Sequence, residues 1–194
     1  MKRATETGVS LVEVLISLFI LAVGVIGALG MHMTALRTTQ QSVFQSSALH
    51  LATEMADKMR ANIRSMQAVD GDNPYLNVDY QSNGSTPNQS GTDRQNCFDA
   101  NAYCDSQQLA QFDIAEWLVR LEHALPGARV RICRDAQPWD SAEQNFNWNC
   151  SNNSVNSASI VIKIGWKDKN NHDNAQADYA FAPRIALAVA PYAR

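Results

Sequence analysis

Residues 8–36 read GVSLVEVLISLFILAVGVIGALGMHMTAL, and the rest of the chain is arranged around them. Glu13 is the single charge within this stretch, and Val14 to Met31 is uncharged and almost wholly apolar. As a helix rising about 1.5 Å per residue, that run reaches about 27 Å, close to the hydrocarbon thickness of a bilayer. A carboxylate near the start of such a span is costly, so Glu13 calls for a partner. Lys2 and Arg3 precede the span, and the positive-inside rule puts them in the cytoplasm with the rest of the chain on the far side. An ordinary secretory signal peptide is the alternative, with Ala28-Leu29-Gly30 as a small-x-small cleavage site. The length of the apolar run and the Glu inside it argue against that reading. Gly24, Gly27 and Gly30 stand three apart, a spacing that lets helices approach closely or marks where a helix stretches.

From Thr34 to Met66 the chain turns polar but keeps a helical rhythm. Leu36, Val43, Phe44, Ala48, Leu51, Met55, Met59, Ile63 and Met66 recur at steps of three and four, with charged residues on the other faces. The first proline is Pro74. Span and amphipathic segment therefore read as one helix from about Ser10 to Ser65, with the methionine stripe as core packing rather than a cofactor box.

The N-terminal constellation resembles the class III signal of type IV pilins: a short polar leader, a Gly at the cut, and Glu as fifth residue of the mature chain. Gly8, Val9, Ser10, Leu11, Val12 and Glu13 fill those places in order, with Val9 where the family usually has Phe. The resemblance implies cleavage after Gly8 by the prepilin peptidase, N-methylation of Val9, and a single-pass subunit held in the inner membrane with a periplasmic head. It further implies assembly by an inner-membrane platform into a filament of major and minor pilins, with roles in twitching motility and adhesion. In that setting the Glu13 carboxylate would pair with the Val9 ammonium of a neighbour and fix axial register. The helix-breaking proline that many major pilins carry near the place of Gly30 is absent.

The expected fold is α+β and pilin-like: a long N-terminal helix packed on a small antiparallel sheet, with an extra short helix and two disulfides. The chain divides into a leader (1–8), a membrane and polymerisation half of the helix (9–36), and a head (37–194). Within the head the amphipathic helix covers 37–66, a loop 67–104, a second helix 105–125 and the sheet 128–190. Val69 to Asn96, rich in Asn, Ser, Gly and Asp, reads as a long connection with little regular structure, and the acidic run Asp70-Gly71-Asp72-Asn73 fits turn chemistry better than a calcium loop. Leu109, Phe112, Trp117, Leu118, Leu121 and Leu125 share one face of the second helix, which Pro126-Gly127 ends. The stretch from Phe112 through Leu125-Pro126-Gly127 and on to Arg134 resembles the head of the minor pilins called PilV. Val130 and Ile132 then alternate with Arg129, Arg131 and Cys133 as a strand. Arg134 to Asn156 is a polar loop bearing Trp139, Phe146 and Trp148, which either bind a partner or fold back onto the domain. Ile160, Ile162, Ile164 and Trp166 alternate with Val161, Lys163, Gly165 and Lys167. A turn over 168–174 leads to a returning strand from Ala177 to Val189, broken by Pro183.

The cysteines, Cys97, Cys104, Cys133 and Cys150, are separated by six, 28 and 16 residues, which fits neither a zinc ribbon nor a CxxC motif. In an exported head they read as two disulfides. Three pairings are open, and Cys97–Cys104 with Cys133–Cys150 is favoured because each closes a local loop. The net charge is −3, and −4 once residues 1–8 are removed, with no basic patch, so nucleic acid is not expected as a partner. His32, His50, His123 and His172 are scattered, and no GxSxG, SxxK, P-loop or GxGxxG occurs, so neither catalysis, nor a metal, nor a cofactor is expected. Three other readings compete with a pilus subunit: a minor pseudopilin of a type II secretion system, an anchored or secreted binding protein, and a periplasmic enzyme.

Overall fold

A computed structural model describes residues 10–82, 97–99, 101–150, 158–167 and 181–189. Two compact units divide at Val43 and Phe44. The first consists, over its described part, of helix. The second holds the hydrophobic core and the sheet. Helix α1 runs Leu11–Ala61, followed by a short α2 (Ile63–Gln67), strand β1 (Asp79–Gln81) and helix α3 (Ser106–Ala124). Strands β2 (Arg129–Arg134), β3 (Trp139–Asp140), β4 (Asn145–Phe146), β5 (Ile160–Gly165) and β6 (Ile185–Val189) complete the order. Among the described residues the main sheet is antiparallel in the order β1-β2-β5-β6, and β3-β4 form a separate hairpin. This is the pilin-like α+β architecture, with its long apolar helix, small sheet, extra short helix and two disulfides.

The core draws on α1 through Ala48, Leu51, Ala52, Met55, Ala56 and Met59, on α3 through Ala110, Trp117 and Leu121, and on the sheet through Val130, Ile132, Ile162 and Ile164. Both Met55 and Met59 are fully buried, so the methionine stripe is core. Ala48 and Leu51 of the expected stripe are buried with them, and Phe44 and Met66 pack on the core, whereas Leu36, Val43 and Ile63 are exposed and Ala52 and Ala56, outside the stripe, are inside. The small side chains allow close packing that a count of large apolar residues overlooks. On α3 the same substitution occurs, with Leu109 exposed and Ala110 buried. The Trp117 indole Nε1 donates to the Leu51 carbonyl at 2.9 Å, so this large ring is satisfied as well as buried. A capping box starts α3: the Gln108 N–H donates to Asp105 Oδ1 at 2.8 Å and the Asp105 N–H to Gln108 Oε1 at 3.0 Å. At its end Gly127 takes φ +55°, the left-handed conformation that suits glycine after a helix.

The first helix does not continue to Ser65. Asn62 leaves helical geometry at φ −96°, ψ 66°, and its side chain caps α2 by accepting from the Ser65 N–H. Asparagine competes for backbone partners through its own amide, and here a second partner is close: Asn62 Nδ2 donates to the Ser106 carbonyl at 2.7 Å. Ser65 Oγ donates to the same carbonyl at 2.8 Å. The segment expected as loop also contains structure. Two 3₁₀ turns, Asp70–Asp72 and Pro74–Asn77, lead into β1, which pairs with β2 in the register Asp79↔Arg131, Tyr80↔Val130 and Gln81↔Arg129. Three polar residues are too few for an alternation to stand out. Residues 83–96, the turn at 168–174 and the first part of the returning strand lie outside the described residues. Pro183 precedes β6 rather than breaking it.

Tyr75 sits fully buried between these elements. Its hydroxyl donates to Asp113 Oδ2 and accepts from Asn62 Nδ2, both at 3.4 Å. Burial pushes its pKa up to about 12; the Asp113 charge adds to that rise and the Asn62 donor opposes it. Because the folded value lies above the unfolded value of about 10, the unfolded chain releases this proton first as pH rises. The stabilisation is complete below about pH 10 and should be lost at about 1.4 kcal/mol per pH unit towards pH 12. Urea unfolding at pH 9 to 12 is expected to show that slope reduced in Tyr75→Phe by the contribution of one tyrosine. Equal slopes in the two proteins would count against a buried, protonated Tyr75.

Candidate functional site: an exposed apolar helix and a covered sheet face

The first candidate is the described part of the N-terminal unit. Helix α1 begins where the Glu13 and Val14 N–H groups turn back to the Ser10 carbonyl at 3.0 and 3.3 Å. Its apolar side chains point outward all round: Leu11, Phe19, Ile26 and Met31 are each 69–77% exposed. A helix apolar on every face is not stable against water, and this one is long and apolar enough to cross a membrane. Glu13 lies exposed in the first turn, and its carboxylate has no hydrogen-bond or ion-pair partner among the described residues. Gly8 and Val9 lie outside the described residues.

Further along, Gly27, Gly30, Met31, Thr34, Ala35 and Thr38 line a shallow groove on the helix surface. The Thr34 and Thr38 hydroxyls donate to carbonyls one turn back, Gly30 and Thr34, at 3.2 and 3.1 Å, so they leave the groove with no unsatisfied donor. A Cβ added at Gly24, Gly27 or Gly30 would meet nothing within 4 Å. The helix runs unbroken through all three glycines.

The second candidate lies in the head and was not legible as such. All six residues of β5 are buried, including Lys163, which is on the face away from the helical core. Its ammonium donates to Asp135 Oδ2 and to the Asn149 carbonyl at 2.5 Å, and to the Asn147 carbonyl at 2.9 Å. Three donors thus meet three acceptors, which is what a buried ammonium needs. All three acceptors come from segment 134–150, whose ends are joined by the Cys133–Cys150 disulfide with Cα atoms 6.1 Å apart. Cys97–Cys104 forms the second disulfide, at 5.8 Å.

The aromatics of that segment divide. Trp148 folds back: Arg129 stacks on its ring at 4.4 Å, its Nε1 donates to the Phe181 carbonyl at 2.7 Å, and its ring meets Phe181 edge-on. Gly165 leaves room for both rings, since a Cβ there would lie 2.9–3.0 Å from Phe181 and Trp148. Trp139 stays 46% exposed, packed edge-on against Phe146 in the β3-β4 hairpin. Among the described residues no cluster of His, Cys, Asp or Glu could hold a metal. His50 is exposed, and its helical neighbour Glu54 pairs with Arg120 instead.

Compared with known families, residues 30–115 match the model described as type IV pilin Tt1218, of the Tt1218-like family. The matched stretch covers the second half of α1 and the first half of α3, and begins after Gly8 and Glu13. No curated protein and no solved structure matches the chain significantly.

Proposed function

We propose that the chain is a type IV pilin, as the match of residues 30–115 supports, and within that family a minor pilin, a low-copy subunit of the complex that primes filament assembly. The observation that carries the reading is the exposed apolar helix with a lone carboxylate in its first turn. Such a surface has to be covered by lipid before assembly and by neighbouring helices after it. On this reading the prepilin peptidase cuts after Gly8, Val9 is methylated, and the subunit waits in the inner membrane with its head in the periplasm. An inner-membrane platform then draws it among other minor and major pilins. The PilV-like stretch of the head and its two disulfides support a minor rather than a major subunit, and an oxidising compartment for the head. The role is structural; the protein is a substrate of processing rather than a catalyst.

Amino-terminal analysis of protein recovered from membranes and from sheared filaments tests this. N-methylated Val9 is the expected terminus, with the subunit far below the major pilin in amount. A start at Met31 would instead mean ordinary secretion. Loss of protein secretion with normal piliation in a deletion strain would assign the chain to a type II secretion system. Gly8→Leu is expected to leave the leader attached, because the peptidase has to bring this backbone close to its catalytic groups. Gly8→Leu protein with the mass of the mature form would refute the cleavage site.

A further inference from the structure

We propose that segment 134–150 is a strap whose closure over the outer face of β5 is controlled by the Cys133–Cys150 disulfide. The placement of the acceptors carries the inference. Asp135 stands two residues after Cys133, and Asn147 and Asn149 stand three and one residues before Cys150. The covalent tie therefore holds together the two ends of the strap from which Lys163 takes all three of its hydrogen bonds. Between those ends the chain bonds largely to itself: Asn147 N–H donates to the Pro138 carbonyl, Gln137 N–H to Asp135 Oδ1, and Trp139 pairs with Phe146. Asp135 is anchored next to β2 through its own N–H, which donates to the Ser159 carbonyl at 3.0 Å. The return half, ending at Cys150, is the part that would lift once the tether is cut, against the hold of Trp148.

What lies beneath makes lifting inexpensive. An ammonium under the strap has given up its hydration for two carbonyls and a carboxylate, and water would replace the carbonyls readily. A purely apolar floor would hold the strap shut by itself; a charged one leaves closure dependent on the tether. The opposing hold comes from Trp148, through Arg129, the Phe181 carbonyl and a 3.3 Å bond from Arg131 Nη1 to the Trp148 carbonyl. Reduction by a dithiol turns the bridge into two thiols while the dithiol becomes a disulfide, and it returns to the open strap the freedom that the closed loop had removed. For a loop of this length that shifts the open-to-closed ratio by about 100-fold. The oxidised subunit thus conceals Lys163 and the reduced subunit presents it.

Acylation of full-length protein in detergent micelles with an acetyl N-hydroxysuccinimide ester, read by peptide mass spectrometry, tests this against the exposed Lys167 as internal reference. Lys163 should resist modification in the oxidised protein and react about 100-fold faster in the Cys133→Ser, Cys150→Ser double variant. Amide exchange across α3 around Trp117 should stay unchanged in that variant, which keeps Cys97–Cys104 intact. Continued protection of Lys163 in the double variant would overturn the proposal, because the ion pair and carbonyls would then close the strap unaided. Loss of protection in α3 together with Lys163 would overturn it too, because the disulfide would be holding the whole head rather than the strap.

Discussion

Asp135→Ala is expected to destabilise the head by about 3–5 kcal/mol, the effect of leaving a buried ammonium without its counter-ion. Lys163 and Asp135 are both nearly inaccessible, with side chains 0% and 3% exposed, so water cannot substitute while the strap stays closed. The exposed pair Arg60–Asp57 makes an informative contrast, since its loss should be worth less than about 1 kcal/mol. Replacing both buried partners at once, Asp135→Leu with Lys163→Met, removes the unpaired charge and should recover much of the loss. Urea unfolding followed by tryptophan fluorescence measures this, with the slope m checked for constancy so that the midpoint shift reports stability. An Asp135→Ala midpoint within about 1 kcal/mol of wild type would mean that the ammonium is already hydrated.

The second large effect concerns Glu13, and it separates insertion from assembly. Glu13→Gln keeps the size of the side chain and removes its charge, so the span should enter the membrane at least as well as before. On the proposed register mechanism, the substitution removes the counter-charge for a neighbour's Val9 ammonium. Left unpaired in surroundings of low dielectric, that ammonium would cost several kcal/mol, roughly a thousandfold in subunit association. Cleaved Glu13→Gln protein is therefore expected to accumulate in membranes and to be missing from sheared filaments, with fewer pili per cell. Wild-type incorporation of Glu13→Gln protein would leave Glu13 as a tolerated polar residue and end the register mechanism.

Much of this architecture is legible in the sequence, for physical reasons that differ by element. The apolar run from Val14 to Met31 admits few interpretations, because its length and lack of charge match the hydrocarbon thickness of a bilayer. Helix α3 announces itself by apolar residues at helical spacing and a stop at Pro126-Gly127, whereas its capping box at Asp105 emerges only in the structure. Where packing decides, periodicity is a poorer guide: Ala110 and Ala52 are buried while Leu109 and Val43 are exposed, because small side chains fit a close-packed core as well as large ones do. Strand β1 is hidden by its shortness and polarity, since its pairing is supplied by β2 rather than by its own composition. Lys163 is the clearest case. Alternation assigns it to the face opposite Ile162 and Ile164, which is correct, and implies solvent there, which is not. The covering comes from a stretch with hardly any regular structure, and the complementarity between one ammonium and two backbone carbonyls leaves no trace in residue types. The disulfide spacing was the one hint that this stretch closes on itself.

The interruption at Asn62 has a mechanical consequence. A helix that continued to Ser65 would hand an axial pull on to its own next turn, as tension along a single rod. Because α1 stops at Ala61, the pull arrives instead at Asn62 and Ser65, both of which grip the Ser106 carbonyl. Force is thereby diverted sideways into the start of α3, and two turns further along Lys58 also holds Asp113 at 2.6 Å. In a filament under traction, the head would be carried by this junction as much as by the rod that bears it.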